Sequence, residues 1–176
     1  MSFTDTPIPD LKIFTPRIFG DDRGYFFESY NRQTFAAAGV TNDFVQDNQA
    51  RSPRGVLRGL HFQTGAAAQA KLVRVISGEV FDVAVDLRPG SPTLHRWFGV
   101  HLSGENQRQL FVPRGFAHGY LVLSEAAVFA YKCDNYYAPD AEGGLRYDDP
   151  RIGIEWPAVD AELVVAQRDL DWPLLK

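Results

Sequence analysis

Five side chains stand where chemistry could use them. In VLRGLHFQ (56–63), Arg58 and His61 lie three apart in an otherwise apolar run beside Gly55 and Gly59. Lys71 interrupts the apolar stretch QAKLVRVISGEV. Tyr131 sits in AVFAYKCDNYY, and His118 precedes an apolar run in VPRGFAHGYLVLS. Histidine titrates near neutrality and suits proton transfer. A fixed lysine can face developing negative charge, and a tyrosine with its ordinary pKa near ~10 keeps a proton to give. Taken singly, each has a bland explanation: a satisfied core histidine, a snorkelling lysine, a core tyrosine with a bonded tip.

The spacing of Arg58 and His61 sets a geometric condition. Residues three apart on a regular strand point to opposite faces. For both to face one cavity the strand must bulge or twist, and Gly59 permits that.

Several site classes lack their signals. No GxGxxG opens a helix, and there is no P-loop or nucleophile elbow. The histidines are His61, His95, His101 and His118, without the His-x-His pair that sets two imidazoles on one strand face. A metal site is therefore disfavoured, with convergence of His101 and His118 in space left open. Cys133 lies in a strand pattern and reads as a buried structural thiol.

The elements that must hold these groups are short. Apolar or alternating runs near 11–19, 24–29, 44–49, 55–63, 70–77, 79–87, 95–103, 108–112, 117–123 and 126–136 read as strands. In EVFDVAVDL, Val80, Asp82, Ala84 and Asp86 share one face and Phe81, Val83, Val85 and Leu87 the other. One helix is expected, with Asn31 as N-cap, RQTFAAA as body and Gly39 as stop. The tail from residue 139 is expected to wrap the rest with one or two short helices. The pattern predicts an all-β fold, a sandwich or jelly-roll barrel, in one domain over residues 1–176.

Composition narrows the partners. Hydrophobic residues make up 45% and charged residues 23% of the chain, enough for a sizeable core. The net charge of −4 argues against a general nucleic-acid or anionic-membrane binder. Fourteen arginines against four lysines allow a local anion site, although on this count alone genome composition is the favoured explanation. No apolar run approaches a membrane span. The opening MSFTDTPIPD does not read as a signal peptide, and a single cysteine allows no internal disulfide, so a cytoplasmic location is expected.

Together the runs FGDDRGYFFESYN, FVQDNQARSPRGVLRGLHFQ, KLVRVISGEVFDVAVDLR, RQLFVPRGFAHGYLVLSE, YKCDNYY and GIEWP resemble the dTDP-4-dehydrorhamnose 3,5-epimerase family, in its order and from about Ile8 to Leu175. The resemblance implies a cupin-like jelly roll, a homodimer, and no metal or redox cofactor. It implies a dTDP-4-keto-6-deoxyhexose substrate, inverted at the two carbons beside the C4 ketone. By the same resemblance His61 is the base, Asp169 orients it, Lys71 stands beside the C4 oxygen, and Tyr131 is the acid. Lys71 is further expected to lower the pKa of Tyr131. Arg23, Glu28, Gln46, Asp47 and Asn48 match substrate-binding positions. So do Arg58, His118, Glu142 and Arg168, the last standing where lysine is common. Tyr137 matches the aromatic that stacks on thymine. Ala70 departs from the usual glycine, and the loop TGAAAQA is unusually alanine-rich. The rival readings are a single-centre epimerase of a related deoxysugar, a metal-dependent cupin enzyme, and a non-catalytic sugar-nucleotide binder.

Overall fold

The computed structural model describes residues 2–175. The chain opens with β1 (Ser2–Asp5), β2 (Lys12–Thr15), a hairpin of β3 (Phe19–Asp21) and β4 (Gly24–Phe26), and helix α1 (Arg32–Ala37). Then follow β5 (Gln46–Pro53), β6 (Val56–Gln63), β7 (Lys71–Ser77), β8 (Glu79–Asp86) and β9 (Trp97–Ser103). β10 (Gln109–Val112), β11 (Phe116–Val122) and β12 (Ala126–Cys133) complete the main strands. The tail adds β13 (Glu142–Gly144), β14 (Val164–Val165) and helix α2 (Gln167–Leu170).

Two sheets result. One runs β1-β2-β10-β7-β12-β5, the other β13-β6-β11-β8-β9. β14 joins β6 in parallel, pairing Val164 with Val56. The main core lies between the sheets: Val73, Val75, Leu110 and Phe129 of the first meet Val80, Ala84, Leu102 and Val122 of the second. This is the all-β barrel architecture the strand pattern predicts.

Both sheets are also covered outside. Phe81, Val83 and Val85 pack under tail residues Leu145, Ile152 and Trp156. On the first sheet, Phe14, Leu72 and Phe111 pack with Phe35 of α1. β8 is therefore buried on both faces, and its aspartate-bearing face is the interior one.

Helix α1 forms for local reasons. The Asn31 side chain accepts from Gln33 N and Thr34 N, which satisfies two otherwise orphaned amides. Gly39 then takes φ +86° and ends the helix. β1, β13 and β14 lie outside the strands expected from the sequence. They are four, three and two residues long and exist through pairing with β2 and β6. No helix among the described residues is long and apolar enough to cross a membrane.

Candidate active site

The interior between β6, β11, β7 and β12 is not filled. An inner chamber of about 140 Å³ is lined by Arg58, His61, Lys71, His118, Tyr120 and Tyr131, among others. An outer chamber of about 290 Å³ shares His61, Lys71, Tyr131 and Arg168 with it and adds Gln46, Asn48, Tyr137 and Glu142.

The β6 backbone brings Arg58 and His61 to one chamber. In the pairing with β11, His61 faces His118 and Arg58 faces Tyr120, so two β6 residues oppose one of β11. The extra residue resets the alternation. It is possible because Gly59 lies against Gly119: a Cβ on Gly59 would stand 2.6 Å from the Gly119 Cα. Arg58 stays exposed, with its Nε held by Ser52 Oγ at 3.1 Å.

His61 meets its carboxylate through the tail. β14 fixes the chain on β6, and α2 then delivers Asp169. His61 Nε2 lies 2.7 Å from Asp169 Oδ1, and the Gly59 amide donates to Asp169 Oδ2 at 3.2 Å. Asp169 is 2% exposed. Burial pushes its carboxyl pKa up, but the His61 and Gly59 hydrogen bonds and the Arg168 charge outweigh burial, and the net shift is downward. An ionised carboxylate at Nε2 accepts a hydrogen bond from Nε2–H and leaves the imidazole lone pair on Nδ1.

Lys71 and Tyr131 come from the opposite sheet. Tyr131, on β12, pairs with Val73 of β7, and Lys71 begins that strand opposite Cys133. Burial pulls the Lys71 ammonium pKa down, against the acidic Cys133, Asp82 and Glu142 side chains. Burial pushes the Tyr131 phenol up, reinforced by Cys133 and Glu142, while Arg58 and Arg168 pull it down. The expectation that Lys71 would lower the Tyr131 pKa is thus corrected. Desolvation dominates, and the cations that act on the phenol are arginines. The Cys133 thiol, 1% exposed, is pushed up to about 11 by burial, as expected of a structural thiol rather than a nucleophile.

Other expected residues divide into two groups. Gln46 and Asn48 line the outer chamber, where Gln46 Nε2 donates to Asn48 Oδ1 at 3.1 Å. Tyr137 donates its hydroxyl to Glu142 at 3.3 Å, and Arg168 Nη1 approaches the same carboxylate at 3.5 Å. Arg23, Glu28 and Asp47 do not reach this cavity within one chain. Arg23 lies in the β3–β4 hairpin, bound to Asp21. Glu28 accepts from Asn31, and Asp47 turns outward to Lys132, because alternate residues of β5 face opposite ways.

The sequence pattern left one partner unnamed. His118 Nε2 lies 3.0 Å from both carboxylate oxygens of Asp82, and both residues are buried. The available signal was an aspartate flanked by apolar neighbours on an alternating strand. Among the described residues, no three His, Cys, Asp or Glu side chains gather as a metal would need.

The fold and the cavity are those of a β-barrel enzyme of the isomerase class. The profile of the dTDP-4-dehydrorhamnose 3,5-epimerase family matches residues 5–176, and the chain belongs to that family. The Salmonella typhimurium dTDP-4-dehydrorhamnose 3,5-epimerase is 60% identical over 153 residues, covering 86% of this chain and 84% of its own. The Legionella pneumophila dTDP-6-deoxy-D-glucose-3,5-epimerase, solved with dTDP-4-keto-L-rhamnose, superposes with a TM-score of 0.95. It is 50% identical, covering 98% of this chain and 92% of its own. A 3′-monoepimerase from Streptomyces bikiniensis, solved with dTDP-quinovose, gives a TM-score of 0.89 at 34% identity, over 96% of this chain and 85% of its own.

Proposed function

We propose that this chain inverts C3 and C5 of dTDP-4-keto-6-deoxyglucose, giving dTDP-4-keto-L-rhamnose without a metal or redox cofactor. The observation that carries the reading is the placement of His61 and Tyr131 on opposite sheets, around one chamber. A C–H bond beside a ketone is acidic because the carbanion delocalises onto oxygen. His61 Nδ1 takes that proton, and Asp169 stabilises the imidazolium that forms. Lys71 faces the C4 oxygen as it gains charge. Tyr131, whose proton burial holds more tightly still, returns a proton from the other wall. Base and acid on opposite faces turn exchange into inversion.

The outer chamber holds the nucleotide. Tyr137 is 49% exposed and offers its ring to thymine. A base stacked on an aromatic gains about 1–3 kcal/mol. Arg168 and Arg58 supply positive charge for the diphosphate.

The enzyme works in the cytoplasm as a homodimer. The β3–β4 hairpin carries Phe19, Tyr25 and Phe26 exposed at 51%, 62% and 71%, a patch suited to a second copy. Such docking brings Arg23 to the partner's cavity, which a single chain does not allow.

Incubation with the keto sugar in heavy water tests the reaction. Deuterium is expected at both C3 and C5, with the L-configured product. His61→Asn should abolish exchange at both carbons while the protein stays folded. Deuterium at one carbon alone would assign the single-centre activity instead.

A further inference from the structure

Two buried side-chain polar atoms among the described residues have no hydrogen-bond partner, the Tyr120 hydroxyl and the Trp172 indole nitrogen. Their surroundings differ. Trp172 packs its ring against Gly144, where an added Cβ would meet it at 2.3 Å, and it lines neither chamber. Tyr120 lines the inner chamber beside His61, Lys71 and Tyr131, although the residue is only 5% exposed.

The Tyr120 ring is fixed. It stacks on Phe129 with centroids 4.1 Å apart and planes 17° from parallel. Its backbone pairs with Arg58 on one side and Asp82 on the other. The adjacent Ser52 hydroxyl is engaged by Arg58 Nε at 3.1 Å; it lies near enough to pull the Tyr120 pKa down but makes no well-formed hydrogen bond to the phenol. Burial raises the phenol pKa, so the group stays protonated and can both donate and accept. A hydroxyl held rigidly in an apolar stack without a partner costs free energy in the folded chain. The cost is recovered when a ligand brings the missing partner.

We propose that the Tyr120 hydroxyl is a further substrate contact, bonding a hydroxyl of the keto sugar at C2 or C3 and selecting for sugars that carry it. This rests on the reading that the sugar ring occupies the inner chamber. A chamber flanked by His61, Lys71 and Tyr131 must hold the C3–C4–C5 edge, and C2 and C3 carry the hydroxyls nearest that edge. Sites that bond a substrate hydroxyl reject analogues lacking it, because the protein group is then left buried and unpaired.

Tyr120→Phe removes the hydroxyl and keeps the stack. Exchange at C5 in heavy water is measured for the natural keto sugar and for its 2-deoxy and 3-deoxy analogues. With the natural sugar, kcat/KM should fall about tenfold. The wild-type preference over one deoxy analogue should collapse towards one, while the other preference is unchanged. The analogue that loses its disadvantage identifies the carbon. The Tm of the unliganded variant should equal or exceed that of wild type, since no protein hydrogen bond is lost. Unchanged preferences for both analogues, or a lowered Tm as a structural hydroxyl would give, overturn the proposal. His61→Asn serves as the reference. If wild type exchanges C5 and His61→Asn does not, unaltered preferences in Tyr120→Phe refute the Tyr120 contact alone. Absence of exchange in wild type refutes the reading of the whole site.

Discussion

The Tyr131 phenol lies in the field of Arg58 and Arg168, which favour its ionised form, yet burial wins and the proton is held more tightly than in water. Lys71 shifts the other way and loses its proton more readily than an exposed lysine. Burial lowers the pH at which the Lys71 cation is lost and raises the pH at which Tyr131 ionises. Tyr131→Phe tests which group sets the alkaline arm of hydrogen exchange: with Lys71 in that role, the arm stays in place. The same variant should slow inversion by about 10²–10⁴-fold relative to exchange. Proton NMR in heavy water reads both rates in one sample. Asp169→Asn addresses the other wall. An amide cannot hold the imidazole in the same tautomer, and turnover should fall by about 10²–10⁴-fold. Its stability effect has a definite sign. The Asp169 pKa is lowered in the folded state, so its contribution is complete above about 3.9 and is lost as pH falls through the folded value. Wild type and Asp169→Asn should differ in Tm at pH 6, and the difference should shrink in acid.

At the scale of elements, β6 depends on one close approach. Gly59 has φ +131°, and an added Cβ would stand 2.6 Å from Gly119 Cα and 2.9 Å from the His118 carbonyl oxygen. Gly39 is also left-handed at φ +86°, but nothing lies within 4 Å of its missing Cβ. Gly39→Ala should cost about 1–2 kcal/mol, the backbone term alone. Gly59→Ala adds a backbone clash and should cost roughly 2–4 kcal/mol. Urea midpoints compare the two, and equal losses would refute the role given to the clash. These elements also show what a sequence reveals. Asn31, its amide partners and Gly39 lie within nine residues, so α1 is visible locally. The parity of Arg58 and His61 raised the question of a bulge, and Gly59 marked where one could form. The two-residue β14 has no pattern of its own and exists only because β6 offers an open edge. Asp82 shares an alternating face with Asp86, a pattern that also suits a strand with one wet side. Only the second layer of core beneath the tail shows that both faces are buried.

Across the whole molecule, a site that borrows Arg23 from a second copy can be tested by mixing. His61→Asn and Arg23→Ala should each be impaired alone. In a mixed dimer, one of the two cavities combines an intact His61 with an intact Arg23 and should recover activity. No recovery after verified subunit exchange would place Arg23 within its own chain. A last consequence concerns the two walls. His61 belongs to one sheet and Tyr131 to the other, and the two sheets meet through side chains rather than a shared ladder. On the proposed mechanism, the gap between proton acceptor and proton donor is thus the spacing of the barrel itself. Handedness in the product is then a mechanical property. A barrel that breathes would still strip hydrogen from the sugar but would miss the return stroke. As the protein is warmed or treated with mild urea, fidelity should fail before activity does, with isotope scrambling outrunning inversion while the strands remain intact.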